Sequence, residues 1–186
     1  MVQHYDLSGA LNTLENSGVI LFPTDTLWSI GCDVRDPVAV KRLLRLRPAG
    51  QLEILVDSLE MLREYVAHVH PRIETLLVYH VRPITVLFDK VRQLPIEVLV
   101  NGRSAAFRVV QDKYCRELIG ALGRPVVSVY AQIEGATLPS HFGAVGSDVI
   151  EAVDYVVKFR QGEKIPGEPS VMVRLTRKDE FEFLRE

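Results

Sequence analysis

Residues 18–33 read GVILFPTDTLWSIGCD, and this stretch decides the type of fold. Its first part, residues 18–24, is a short apolar run interrupted by Pro23, which predicts a buried strand that leads into a loop. Three polar residues follow at the end of this strand, Thr24, Asp25 and Thr26. Because ligands of open α/β sheets usually bind where strands end, these side chains are candidates for holding a carboxylate or a phosphate. The alternative is an Asp/Thr turn that satisfies its own backbone.

Helical and extended patterns alternate along the rest of the chain, which favours an α/β domain. Asp36 is predicted to cap one helix, Ser58 to cap another and Gly123 to end a third. The other apolar patterns predict helices over residues 7–16, 71–79, 113–122 and 147–153, and strands over residues 52–56, 83–88, 105–110, 126–130 and 154–159. Residues 170–175 are predicted to form the last strand, and the charged tail, residues 176–186, is expected to lie on the surface.

Composition limits the class of protein. The chain has 186 residues, of which 47% are apolar and 25% charged, as in an ordinary globular domain. A net charge of −2 excludes a bulk polycation, so any nucleic-acid binding must come from a local patch. No apolar run is long enough to cross a bilayer, and residues 1–18 lack the pattern of a secretory signal. The spacing of Cys32, Cys115 and the five histidines predicts no metal site, and free thiols are typical of a reducing cytoplasm.

Three further segments carry polar residues that are candidates for a site. The helix around Arg42 and the residues that follow it bring several arginines together. Such a cluster suits a polyphosphate or RNA backbone, but a solvated face at a helix C-terminus is the more common cause. Arg108 lies in the apolar strand AAFRVV, and a buried arginine needs a partner anion from the protein or from a ligand. Ser128 and Tyr130 alternate with valines, so both hydroxyls point to one face of the sheet. A half-exposed strand gives the same alternation.

In this order and spacing, the segments resemble the Sua5/YciO/YrdC family. PTDTLWSIGCD (23–33) is similar to its PTDTxYGLGCD motif, RLRP (45–48) to its KxRP and HVRPIT (80–85) to its WPGPLT. Three later segments resemble its remaining motifs: SAAFRVVQDK (104–113), PVVSVYAQIEG (125–135) and PSVMV (169–173). The resemblance implies a single domain over residues 1–186, with an open, twisted, mixed sheet of about seven strands and helices on both faces.

The resemblance also implies an activity. The family includes threonylcarbamoyl-AMP synthase, a nucleotidyltransferase that combines L-threonine, bicarbonate and ATP, releases pyrophosphate and serves the modification of tRNA adenosine 37. For this chain it therefore implies ATP as a substrate with Mg²⁺, a tRNA or double-stranded RNA partner, no membrane partner, and a cytoplasmic location. The alternative is a catalytically inactive relative that binds RNA or a nucleotide in the same basic cavity.

Four residues are implied to bind the amino acid. By position in the matched motifs, Thr24 would contact threonine and Arg108 would pair with its carboxylate. Ser128 and Ser170 occupy the positions of small hydroxyl residues that hold the substrate.

Five residues are implied to bind or transform the nucleotide. Arg45 stands where the family has a lysine and Arg47 where it has an arginine, so both are expected to face ATP phosphates and to act in catalysis. Gln51, Ser104 and Tyr130 stand at further nucleotide positions, and Tyr130 is larger than the serine usual there. Together with the buried strand arginine, the two helix-end guanidinium groups are expected to converge on one hollow that binds an anion.

Overall fold

Nine strands and six helices make up the part of the chain that the computed structural model describes, which is residues 4–47, 51–132, 135–163 and 167–186. The strands are β1 (Ile20–Pro23), β2 (Trp28–Asp33), β3 (Glu53–Val56), β4 (Ile84–Phe88), β5 (Ala105–Val109), β6 (Val126–Tyr130), β7 (Tyr155–Val156), β8 (Val171–Leu175) and β9 (Phe181–Arg185). The helices are α1 (His4–Glu15), α2 (Pro37–Leu46), α3 (Leu59–Tyr65), α4 (Pro71–Tyr79), α5 (Lys113–Leu122) and α6 (Ser147–Ala152).

The strands form one mixed sheet in the order β7-β1-β2-β6-β3-β5-β4-β8-β9. The pairs β1–β7, β3–β5 and β4–β8 are parallel and the other pairs are antiparallel. One apolar cluster joins the sheet to α2, α3, α4 and α6, and a second joins its other face to α1 and α5. The predicted open mixed sheet with helices on both faces is confirmed.

The predicted helix ends are also confirmed. The Asp36 carboxylate accepts the backbone N–H groups of the second and third residues of α2, and the Ser58 hydroxyl accepts an N–H in the first turn of α3. Gly123 ends α5 with φ of 67°, a left-handed conformation that costs glycine little. These short polar and glycine signals act locally, which is why the sequence alone locates them.

The number of strands differs from the expected seven. Residues 28–33, treated in the sequence as the loop after β1, form the fully buried β2 and pair with both β1 and β6. The strand predicted over residues 154–159 is only Tyr155–Val156. The prediction that residues 170–175 form the last strand is wrong, because β8 is followed by β9.

Strand β9 forms because the charged tail contains a tight turn and an alternating pattern. The Thr176 N–H donates to the Glu180 carbonyl over 2.8 Å, and Asp179 adopts a left-handed φ of 59° within the turn. Phe181 then packs against the larger apolar cluster. As a result Arg185 is 15 residues from Ser170 in sequence but donates from Nε to its carbonyl oxygen over 2.7 Å.

Three features bear on the remaining predictions about the chain. Pro48 of the arginine motif and residues 133–134 of the PVVSVYAQIEG segment lie outside the described residues. No helix within the described ranges is long and apolar enough to span a membrane. Cys32 and Cys115 are free and buried, and burial raises the pKa of both thiols.

Alternation along the central strands positions the polar side chains of interest. Phe107 and Val109 of β5 belong to the larger apolar cluster, so Arg108 between them faces the other side of the sheet. Glu53 of β3 and Ser128 of β6, which are paired in register, lie on that same face. The strands therefore gather polar groups on one face although most of their residues are apolar.

Gly31 in β2 allows close packing against residues of the two adjacent strands, β1 and β6. A Cβ on Gly31 would lie 2.9 Å from Val126 Cγ1, 2.9 Å from the Val127 carbonyl oxygen and 3.0 Å from a ring carbon of Phe22. We expect Gly31→Ala to lower the free energy of unfolding by about 1–3 kcal/mol, because the backbone oxygen cannot move aside. Gly162→Ala is the matched control, since a Cβ there meets no atom within 4 Å. Urea unfolding measures both, and equal losses would contradict the packing argument.

Candidate functional site

Arg108 is the centre of a buried charge cluster. Its side chain has no exposed surface, and it forms ion pairs with two carboxylates. Nε donates to Glu53 Oε2 over 3.0 Å and Nη1 donates to Asp25 Oδ1. Asp25 comes from the turn after β1, and its other oxygen accepts the Gln111 N–H over 2.9 Å. The cluster thus ties β3 and β5 to the turn between β1 and β2.

Glu53 is the most heavily bonded group in the cluster. Its side chain is 3% exposed, and its Oε1 accepts hydrogen bonds from Ser170 Oγ over 3.1 Å and from the Tyr130 hydroxyl over 3.3 Å. The same oxygen accepts from Arg185 Nη2 over 2.6 Å. With the bond from Arg108, this carboxylate has four donors from four different strands or strand ends, which satisfies a buried charge.

Arg185 closes the cluster from β9. Its Nη2 also donates to Ser170 Oγ over 2.6 Å, and its Nη1 donates to Gln51 Oε1 over 3.1 Å. Its guanidinium carbon lies 5.7 Å from the centre of the Tyr130 ring, a cation–π distance. The Ser170 hydroxyl is in turn 2.6 Å from the Thr85 hydroxyl on β4. Arg185 is partly exposed, so the cluster meets solvent at this arginine.

The pKa values of the cluster follow from its charges. Burial acts to raise the pKa of Glu53, but Arg108 and Arg185 outweigh it and hold that pKa below its ordinary value. Burial acts to lower the pKa of Arg108, but Asp25 and Glu53 raise it above its ordinary value. Burial, followed by the Glu53 charge, raises the pKa of the Tyr130 phenol. The carboxylate and the guanidinium are therefore charged at neutral pH, and the phenol is neutral.

The cluster is balanced in charge and leaves one donor over. Arg108 and Arg185 supply two positive charges, and Asp25 and Glu53 supply two negative ones. Arg108 Nη2 is buried and has no hydrogen-bond partner among the described residues. A buried N–H group without a partner is costly, so this atom marks a position for an acceptor from a ligand or water.

An apolar cavity of about 300 Å³ adjoins the cluster. Its floor and walls include Gln51, Leu87, Ala106, Met172 and Leu184. Gln51 borders both spaces, since it accepts from Arg185 and donates to the Met172 sulfur over 3.1 Å. A cleft with apolar walls and a few polar groups at one end is typical of a small-molecule site.

Five of the site residues predicted from the sequence come together here. They are Gln51, Arg108, Ser128, Tyr130 and Ser170. Each of them contacts Glu53 or Arg185, and Ser128 does so through a 3.4 Å bond to the Glu53 carbonyl oxygen. The structure therefore brings together five residues that the sequence assigned to four separate segments. Their roles toward a ligand stay predictions.

Arg45 and Arg47 make no hydrogen bond or ion pair with the Arg108 cluster among the described residues. Arg45 is exposed in the last turn of α2, and its side chain makes no hydrogen bond or ion pair with the described residues. Arg47 donates to the Leu46 carbonyl and approaches Asp148 of α6 at 3.8 Å, so its contacts are on the α2–α6 side. These contacts do not join Arg45 or Arg47 to Arg108, and the expectation that the three guanidinium groups converge on one hollow stays a prediction. The buried residues of α2 pack on the face of the sheet opposite to Arg108.

Thr24 and Ser104 already have internal partners. The Thr24 hydroxyl donates to the Leu27 carbonyl over 2.8 Å and accepts the Thr26 N–H over 3.1 Å, as expected for a self-satisfying turn. Ser104 donates to Asp89 over 3.1 Å at the start of β5. The ligand contacts predicted for both residues stay predictions.

The sequence reasoning missed Glu53 and Arg185. Glu53 stands in the apolar segment LEILV, so the argument used for Arg108 applies to it equally: a charge in a buried strand needs a partner of opposite sign. Arg185 was not predicted as a site residue because the sequence indicated a surface tail there and did not predict strand β9. Asp25 and Glu53 supply Arg108 with two anions from the chain itself, so its Nη2 is the atom left without a partner among the described residues, and its pairing with a ligand carboxylate stays a prediction.

The fold and this cluster define an α/β protein with an open mixed sheet and a polar site on one face of its central strands. A family model described as "Telomere recombination", for the Sua5/YciO/YrdC family, matches residues 12–186. The chain belongs to this family. A relative from Xanthomonas euvesicatoria pv. vesicatoria (strain 85-10), named threonylcarbamoyl-AMP synthase, is 30% identical over 168 residues, which cover 87% of this chain and 90% of the relative.

Solved structures agree in fold. Escherichia coli YciO superposes with a TM-score of 0.85 at 23% identity, over 99% of this chain and 90% of that one. Sua5 of P. abyssi, in a structure complexed with L-threonine, superposes with a TM-score of 0.84 at 21% identity over the whole of this chain. This chain spans 55% of the length of that Sua5 chain. At these identities the similarity supports the architecture, and the site is judged on its own residues.

Removing the Arg108 charge should destabilise the fold, because its two buried carboxylate partners would lose their cation. We expect Arg108→Gln to lower the free energy of unfolding by about 3–5 kcal/mol, because Asp25 and Glu53 lose a shared buried cation. Arg82→Gln is the control, since Arg82 pairs with Glu168 at 3.3 Å on the exposed surface and its loss should cost less than about 1 kcal/mol. Denaturant titrations compare the two, and a small loss for both would show that the cluster is not a buried ion pair in solution.

The stability of the fold should also depend on the charge of Glu53. Because its pKa is below the ordinary 4.5 in the folded chain, the folded state binds fewer protons than the unfolded state. Ionised Glu53 therefore stabilises the fold fully above pH 4.5, and this contribution is lost as pH falls through the lower folded pKa. Urea titrations at a series of pH values should show this loss in the wild type and a shallower one in Glu53→Gln. If the free energy of unfolding fell equally with pH in the wild type and in Glu53→Gln, this role of the Glu53 charge would be ruled out.

Proposed function

We propose that this protein is a threonylcarbamoyl-AMP synthase that acts in threonylcarbamoyl modification of tRNA. The single observation that carries this conclusion is the 30% identity to a relative of that name, over nearly the whole of both chains. The gathering of Gln51, Arg108, Ser128, Tyr130 and Ser170 on one side of the sheet supports it, because these are the residues that the family motifs assign to substrates.

Catalysis of this reaction depends more on positioning and electrostatic stabilisation of the substrates than on acid–base groups. The amino nitrogen of threonine bonds to the carbon of bicarbonate and water leaves, which gives a carbamate. A carbamate oxygen then bonds to the α-phosphorus of ATP as the bond to the β-phosphate bridge breaks, and pyrophosphate leaves. Both steps bring anions together, so cationic and hydrogen-bonding side chains that hold them supply most of the catalysis.

We propose that Arg45 and Arg47 hold the phosphates of ATP. The Arg45 side chain is exposed and makes no hydrogen bond or ion pair with the described residues; the Nε and Nη2 atoms of Arg47 are buried without hydrogen-bond partners among them, and Nη2 lies 3.8 Å from Asp148. These free donors suit phosphate oxygens. The described residues hold no group of three or more His, Cys, Asp or Glu side chains placed for a metal ion, so we propose that Mg²⁺ enters on the phosphates of ATP.

The remaining assignments extend this proposal. The apolar cavity beside Gln51 has walls suited to a nucleobase, and we propose that Gln51, Tyr130 and Ser104 lie on the nucleotide side of the site. We propose that Thr24, Ser128 and Ser170 lie on the threonine side. The chain would then act in the cytoplasm as a single domain over residues 1–186, with tRNA as the molecule that its product serves.

A pyrophosphate assay tests the proposed activity. Purified protein is incubated with ATP, Mg²⁺, bicarbonate and L-threonine, and pyrophosphate release is followed with and without the amino acid. We expect release that depends on both threonine and bicarbonate. Absence of threonine-dependent release, with nucleotide or RNA binding retained, would contradict the proposal and favour the catalytically inactive relative that binds RNA or nucleotide.

A variant pair tests the phosphate assignment in the same assay. Arg47→Gln should lower kcat/KM for ATP by about 10- to 100-fold, because one charged hydrogen-bonding group is worth about 1.5–3 kcal/mol. Arg82→Gln removes a surface arginine that pairs with Glu168 and should leave kcat/KM unchanged. An unchanged value for Arg47→Gln would remove this arginine from the nucleotide site.

A further inference from the structure

The donors around Glu53 are those that a free carboxylate would need. Two guanidinium groups, from Arg108 and Arg185, and two hydroxyls, from Tyr130 and Ser170, converge on its two oxygens at 2.6–3.3 Å. Guanidinium and hydroxyl donors in this number form a typical anion site in proteins. In this chain the anion in that site is a side chain.

The charge balance makes this internal anion a competitor of any free one. Asp25 and Glu53 already neutralise Arg108 and Arg185, so a ligand carboxylate entering the same space adds a third negative charge within a buried cluster. Like charges at short range in a region of low dielectric repel strongly. The fold already holds Glu53 in place, so it fills the site without the loss of translational and rotational freedom that a free ligand undergoes on binding.

We propose that Glu53 is an internal counter-ion that occupies a carboxylate-binding site, so that the charge at residue 53 sets the affinity of the protein for carboxylate ligands. The donor left over in the cluster, Arg108 Nη2, is buried and has no hydrogen-bond partner among the described residues, while the other donors around Glu53 are already bonded to it. The wild-type protein therefore binds a simple carboxylate weakly, and removal of the Glu53 side chain opens the site. Only the identity of the physiological carboxylate, L-threonine, rests on the function proposed above.

The sharpest probe is acetate, because Glu53→Ala removes a CH₂ and a carboxylate, the same atoms that acetate supplies. We expect Glu53→Ala to bind acetate at least tenfold more tightly than the wild type by isothermal titration calorimetry, and acetate to raise its Tm. Acetamide has the same shape without the charge and should do neither. Acetate affinity that is equal in the variant and the wild type would overturn the proposal, as would equal effects of acetate and acetamide.

Asp33→Ala is the matched variant. Asp33 is also a mostly buried carboxylate that accepts from an arginine, Arg124, over 2.7 Å, but it lies at the end of β2 away from the cluster. Its removal should lower stability without creating acetate affinity, because only one guanidinium faces it and that group is partly exposed. A gain of acetate affinity in Asp33→Ala equal to that in Glu53→Ala would make the effect non-specific and contradict the proposal.

Folding itself gives a second measurement if Glu53→Ala is unfolded in chloride. Circular dichroism in acetate, in chloride and in chloride with acetamide, at equal ionic strength, then decides the matter. Recovery of the folded signal in acetate alone supports an anion site vacated by Glu53, and no recovery in acetate overturns it.

The result can be separated from the fate of the proposed activity. Acetate binding needs no turnover, so tighter binding by Glu53→Ala stands even where neither protein releases pyrophosphate. If the wild type shows threonine-dependent turnover but Glu53→Ala gains no acetate affinity, the proposed synthase activity is supported and the proposed role of Glu53 is rejected.

Discussion

The structure depends on one buried arginine and the two carboxylates that neutralise it. Arg108 lies in the middle of a sheet whose other central residues are mostly apolar, and a charge in that position is tolerated only with partners. Asp25 and Glu53 supply them from a turn and from the neighbouring parallel strand. The register of β3 against β5 and the course of the chain after β1 are therefore both constrained by the same ion pairs.

The sequence predicts the local features of the fold well. Caps such as Asp36 and Ser58, the glycine that ends α5 and the apolar strands act over a few residues, so their patterns can be read directly. Motif order also predicts the family and the sheet, and it selects five residues that the fold does bring together. These successes share one property, since each depends on short-range chemistry or on similarity along the chain.

The parts that the sequence does not predict are pairings between distant residues. Nothing in a single sequence says that Glu53 and Arg185, 132 residues apart, share a hydrogen bond. Nothing says that α2 packs its buried residues on the face of the sheet opposite to Arg108. Both facts follow from the strand order and from the side of the sheet that each helix covers, and these are properties of the whole fold.

The span of these contacts along the chain has a consequence for how the molecule reaches its native state. Glu53 meets residues that are 55, 117 and 132 positions away, and the edge strand β7 pairs with β1 although Tyr155 and Ile20 are 135 positions apart. Contacts of such high sequence separation form slowly, because long loops must close before they are made. We therefore expect the charged groups to remain hydrated through early collapse and to lose their water late, so that the cluster is assembled in the last stage of folding.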